Sequence, residues 1–150
     1  MKNIFEKSVT DEVIERINNL TNESQPVWGK MNVGQMLAHC NVTYETVYTD
    51  KHPKPNGLAK FFIKLIAKKQ VVSENPYPKN GRTAPYFLIT DERDFDSEKK
   101  RLINYIQKTQ NLGANHFDEK ESHAFGKLKK EEWNNLFYKH LDHHLNQFKA

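Results

Sequence analysis

KKEEWNNLFYKHLDHHLNQF, residues 129–148, carries the most specific pattern in the chain. At about 100° per residue, Trp133, Leu136, Phe137, Leu141 and Phe148 share one side of a helix. Lys139, Asp142, Asn135 and Asn146 are expected on the wet side. His144 falls inside the apolar stripe, His140 near its edge and His143 further out. Burying imidazoles in a bundle interior is costly unless they find polar or metal partners. His140 and His144 stand at i and i+4, so they are neighbours on one face and can present two nitrogens to one ion. A metal site needs a third ligand from elsewhere in the chain.

Outward from this segment, the rest of the chain also reads as helical. Thr10 is the expected N-cap of a first helix with Val13, Ile14, Ile17 and Leu20 at helical spacing, ending near TNESQP. Asn32 caps a second, with Gln35 placed for a capping box and Val33, Met36, Leu37, Cys40, Tyr44 and Val47 as its buried stripe. GLAKFFIKLIAKK, residues 57–69, predicts a shorter amphipathic helix, expected to pack across a bundle end. Residues 73–93 hold Pro76, Pro78, Gly81 and Pro85 and predict a crossover loop pinned by Tyr77, Tyr86 and Phe87, with YFLIT as the one short strand-like stretch. Asp94 or Asp96 starts a further helix with Leu102, Ile103 and Ile106 inward. Residues 111–128 predict a second long loop containing His116 and His123. The expectation is one all-α domain over residues 1–150, a four-helix bundle with an extra short helix and long crossover loops.

Composition narrows the function classes. The chain has 150 residues, 37% hydrophobic and 28% charged, enough for one core without disulfides. Its single cysteine, Cys40, forbids an intrachain bridge and reads as a small core residue. The N-terminus has no apolar run of signal-peptide length, and FFIKLIA is too short to span a bilayer, so the cytoplasm is the expected location. A net charge of +4 spread among acids gives no nucleic-acid footprint. KFFIKLIAKK has the composition of a basic amphipathic helix, but a membrane partner is not expected while a bundle end can take its apolar face. Ser122 and His123, being adjacent, make no catalytic triad, and no glycine-rich phosphate loop is present.

His39 is the one histidine predicted within another main helix. It lies beside the apolar stripe, nearer Met36 and Thr43, and is buried there only if that helix touches two neighbours. His116 and His123 read as loop residues able to cover the mouth of a site, and His52 as a turn residue.

HLDHHLNQ, residues 140–147, resembles the H-x-x-H-H-x-x-Q stretch on the last helix of the DinB/YfiT-like metalloenzyme superfamily. WGKMNVGQMLAHC, residues 28–40, is similar to the segment in which that superfamily places a histidine on the second helix. A small branch of unknown function looks closer still, through PYPKNGRTAPYFLITDERDF at 76–95 and SHAFGKLKKEEWNNLFYKHLDHHLNQF at 122–148. That branch usually has a small hydroxyl residue where Lys129 stands, so a weaker N-cap is expected here. The resemblance implies a four-helix bundle and a metal triad of His39, His140 and His144 holding a divalent transition ion, Zn or Ni. It implies a small-molecule substrate, with a low-molecular-weight thiol as the activated group in S-transfer, and a homodimer. A non-catalytic metal-binding or interaction module is the alternative.

Overall fold

Asn32 opens the central helix as its spacing predicts: its Oδ1 accepts from the Gln35 amide at 2.8 Å, and Gln35 Oε1 accepts from the Asn32 amide at 3.0 Å. The computed structural model describes Met1–Ala150. In chain order it contains α1 (Lys7–Asn18), α2 (Val33–Tyr48), α3 (Gly57–Val72), a 3-10 turn at Pro85–Phe87, α4 (Phe95–Leu112), α5 (Ala114–Phe117), β1 (Lys120–Ser122), β2 (Gly126–Leu128) and α6 (Lys130–Gln147). The fold is mostly helical, and α1, α2, α4 and α6 supply most of the core. No helix is long and apolar enough to cross a membrane.

The core lies where Val13 and Ile17 of α1, Leu37 and Tyr44 of α2, Leu102 and Ile106 of α4, and Trp133, Phe137 and Leu141 of α6 meet. Tyr44 stacks between Tyr105 and Phe137, at centroid distances of 5.7 and 5.1 Å. Such aromatic pairs contribute about 0.5–1.5 kcal/mol each beyond burial. Twelve of the sixteen residues of α2 are buried, so this helix is covered on nearly every side. Polar His39, Asn41, Thr43 and Glu45 accordingly all point inward, and each finds a partner, although Asn41 Oδ1 is left without one.

Four expectations need correction. The first helix starts at Lys7 rather than after Thr10; Thr10 is an interior position whose buried hydroxyl donates to Ile4 O at 2.7 Å. The earlier start follows from Ile4 and Phe5, which are buried and bring the N-terminal segment onto the bundle. The YFLIT stretch is no strand: Pro85 fixes a 3-10 turn there instead. The mostly helical expectation holds, but residues 111–128 are not one long loop: they hold α5 and a small antiparallel hairpin, with Glu121 opposite Lys127 and Ser122 opposite Gly126. Gly126, at φ +75°, makes the tight return possible.

The fourth correction concerns α3. At sixteen residues it is as long as α2, and it buries none of its residues. Leu58, Phe61, Phe62, Leu65 and Ile66 are 50–76% exposed. The helix is instead held from α6 by polar groups. Lys139 Nζ donates to Gln70 O at 2.7 Å and to Ser73 O at 2.5 Å, and Asn135 Nδ2 donates to Val72 O at 2.8 Å. These carbonyls close the C-terminal end of α3, where a cation is favoured. Lys139 and Asn135, expected in water, therefore face α3.

Candidate metal site

α2 and α6 bring three imidazoles together. His39 and His140 oppose their Nε2 atoms at 3.0 Å, and His144 closes the group with ring centroids 4.5 Å from His39 and 4.8 Å from His140. One ring nitrogen from each lies within 4.8 Å of the others. His39 and His144 are buried, whereas His140 keeps some accessible surface at the floor of a cavity.

Each ring is oriented through its Nδ1. His39 Nδ1 donates to Phe87 O at 2.8 Å, and a carbonyl can only accept, so its Nε2 carries the lone pair. Gln147 Nε2 donates to Trp28 O at 2.7 Å, which turns Gln147 Oε1 toward His144 Nδ1 at 2.8 Å. His144 therefore carries its proton on Nδ1 and leaves Nε2 free. His140 Nδ1 lies 3.0 Å from Thr43 Oγ1, a hydroxyl that donates or accepts.

Two proton arrangements follow. When Thr43 donates, His140 carries its proton on Nε2 and gives it to His39 Nε2, and the pair is satisfied without an ion. When Thr43 accepts, three Nε2 lone pairs converge, and a cation placed among them satisfies all three. Four-coordinate zinc at 2.0–2.1 Å separates its nitrogen ligands by roughly 3.3–3.4 Å. The 3.0 Å pair would open slightly and the widest separation, up to 4.8 Å, would have to close by more than an ångström, so the three histidines can hold a metal ion once the rings draw together.

The electrostatics suit neutral ligands. Burial is the main cause that lowers the pKa of all three rings, and the charge of neighbouring histidines lowers it further. His144 is held down to about 3, with its Gln147 hydrogen bond opposing the shift. The rings are therefore unprotonated ligands at neutral pH, as metal binding requires.

Residues 5–150 match the model of a family described as a protein of unknown function, DUF1569. The chain belongs to DUF1569. No curated protein and no solved structure matches it.

The remaining histidines of this DUF1569 chain lie outside the triad. His143 is half-buried between Trp28 and Tyr77, with ring centroids at 5.6 and 5.7 Å. His116 is exposed, near Lys120. His123, expected on a loop surface, is buried in the hairpin turn, where its Nε2 donates to Pro53 O at 3.2 Å. His52 is more than a turn residue: its Nε2 lies 2.6 Å from the buried carboxylate of Glu45. Burial alone would raise the Glu45 pKa, but hydrogen bonds from His52 and Lys51 and the charge of Arg101 hold it below the usual carboxylate range. Cys40 faces Met36 Sδ and is fully enclosed, and burial pushes its thiol far up, so it behaves as a core residue.

Above the triad is a cavity of about 580 Å³. Its walls are largely aromatic and aliphatic: Trp28, Tyr77, Tyr86, Phe87 and Phe125, with Phe62, Ile63 and Ile66 of α3 on one side. The loop expected to be pinned by Tyr77, Tyr86 and Phe87 does more than pack, since Phe87 supplies the carbonyl that orients His39. Sequence reading missed that acceptor because a backbone carbonyl leaves no side-chain signature. It also missed the inward turn of Lys139.

Proposed function

We propose that the chain is a metal-dependent enzyme of the DinB/YfiT type, holding one divalent transition ion, Zn or Ni, on His39, His140 and His144. The observation that carries this reading is the fixed proton placement. Phe87 O and Gln147 Oε1 leave the Nε2 atoms of His39 and His144 as lone pairs beside His140. An all-nitrogen set disfavours calcium and magnesium, which prefer oxygen.

Three protein ligands would leave room at the ion for water or substrate, as catalytic sites require and structural sites do not, and all three histidines line the cavity. A divalent ion held there supplies Lewis-acid polarisation of a thiol, water or carbonyl group. The chain's own residues do the rest. Phe87, Thr43 and Gln147 hold the rings, and the aromatic walls exclude water from an apolar ligand. By its likeness to the DinB/YfiT proteins, a low-molecular-weight thiol is the group to be activated, and S-transfer to a small electrophile is the reaction. A non-catalytic metal binder has no need of a 580 Å³ cavity over its ligands, which favours the enzyme reading.

The test has two stages. Elemental analysis of protein purified without a metal-affinity tag should find one zinc or nickel per chain. Thiol-transfer turnover by metal-loaded protein, absent in His140→Ala, should follow. Metal without turnover against a panel of thiols and electrophiles would favour the binding-module reading. No metal would remove both.

A further inference from the structure

We infer that the outer face of α3 is a docking surface for an anionic lipid bilayer. Leu58, Phe61, Phe62, Leu65 and Ile66 recur at i, i+3, i+4, i+7 and i+8, so they form one continuous ridge, and all five are at least half exposed. The side of α3 turned to the protein carries Ala59, Ile63, Ala67 and Val71, which are only half-buried. An unpartnered apolar ridge of this size on a small domain marks an interaction surface.

Charge selects the occupant. α3 contains no acidic residue and four lysines. Lys60 pairs with Glu121 and Lys68 with Glu132, whereas Lys64 and Lys69 have no ion-pair partner. On the helical wheel Lys69 falls in line with the ridge and Lys64 lies off one flank, and both are exposed. Their stems can lie along the apolar surface while the ammonium groups reach headgroup phosphates, the arrangement of a helix lying in a membrane interface. A second copy of the chain fits less well. A two-fold contact through this face would set lysine against lysine with no acid on the helix to pair them.

The other flank of the ridge borders the cavity. Phe62 and Ile66 are exposed and also line the space above the histidines. A bilayer seated on α3 would therefore meet the cavity mouth, and a ligand with an apolar body would enter without crossing bulk water. This last step rests on the histidine site being the ligand site; the docking does not.

The experiment is vesicle flotation of the full chain. Wild type should float with phosphatidylcholine–phosphatidylglycerol vesicles, be released by raised salt, and stay unbound with phosphatidylcholine alone. Phe61→Glu combined with Leu65→Glu should lower the bound fraction more than about tenfold. Both side chains lie outside the cavity, so circular dichroism and cobalt titration should match wild type, which separates failed docking from a failed histidine site. Lys64→Ala, a milder change, should weaken binding about fivefold. Absence of flotation, or equal flotation of the double variant, would overturn the proposal. So would equal binding to neutral vesicles. A solution dimer that ignores vesicles and is dissociated by Leu65→Glu would overturn it in favour of a second copy.

Discussion

Gln147 ties His144 to the main chain of Trp28: its Nε2 donates to Trp28 O at 2.7 Å while its Oε1 accepts from His144 Nδ1 at 2.8 Å. Its own carbonyl, at the end of α6, accepts from the Val27 amide at 2.8 Å. Gly29 makes the close approach possible, since a Cβ there would stand 2.5 Å from Gln147 Nε2 and the backbone has φ +84°. The ring of His144 is thus set by a residue outside the three histidines. Outer partners of this kind typically contribute 10–100-fold in metal affinity. Gln147→Ala should weaken zinc binding by about that factor while leaving the stoichiometry at one, as calorimetric titration would read. An unchanged affinity would mean that packing alone orients the ring.

The three histidines should behave as one unit. Single replacement of His39, His140 or His144 by Ala should each remove most of the affinity for Zn²⁺ or Ni²⁺. His143→Ala should have a smaller effect, because its ring sits between Trp28 and Tyr77. Competition titrations of the four variants measure this. Loss of binding in His143→Ala with retention in His39→Ala would refute the ligand set.

Acid should destabilise the metal-free protein well above the carboxylate range. In the unfolded chain a histidine titrates near 6.5. In the folded chain burial lowers all three rings, His144 to about 3. Unfolding therefore takes up protons, and stability rises with pH. It is complete above about 6.5 and falls as the pH drops from there toward the folded-state values. Between pH 6.5 and 5.5 His144 alone should account for a loss of about 1 kcal/mol, with His39 and His140 adding to it in the same direction. Glu45 acts in the same direction but only below the ordinary carboxylate pKa, so the two windows separate. Chemical denaturation at pH 7.5, 6.5 and 5.5 should show the loss in wild type and a smaller one in His144→Gln. A flat profile would contradict the neutral burial of these rings.

Lys139→Met should release the C-terminal end of α3. The substitution keeps the stem but removes the donors to Gln70 O and Ser73 O. Burial already holds the Lys139 pKa down to about 8, so some of the loss is offset by no longer burying a charge. A net destabilisation of about 1–3 kcal/mol is expected. Hydrogen exchange should accelerate within Gly57–Val72 and leave α2 and α4 unaffected. Uniform acceleration would show that the contact supports the whole fold rather than one helix.

The parts of this fold that were readable in the sequence are those where local chemistry and burial agree. Asn32 and Gln35 cap α2, Asp94 caps α4 through Ser97, and the apolar stripe of α6 is buried except for half-buried Leu136. Lys129, a poor N-cap by type, is rescued by Glu132 Oε2, which accepts from its amide at 2.9 Å. Thr10 misled because a capping residue type also serves inside a helix when a nearby carbonyl needs a donor. Lys139 misled because its charge suggested water, yet the end of another helix offered carbonyls. The apolar pattern of α3 was correct as a helix and wrong as a core face, since periodicity records that a face is apolar and not what covers it. His39 was the candidate third ligand as the one histidine on another main helix, but likeness to other proteins was needed to join it to His140 and His144, because no local pattern relates positions 101 residues apart.

That separation has a kinetic meaning. Nitrogens on α2 and α6 meet only once a loop of about a hundred residues is closed, so we expect a cation to be captured there late in folding. Contacts made after the rate-limiting barrier slow escape from the native state without hastening arrival. A bound ion would therefore lengthen the lifetime of the folded chain and leave its refolding rate almost untouched, acting as a lock that engages only after the bundle has closed.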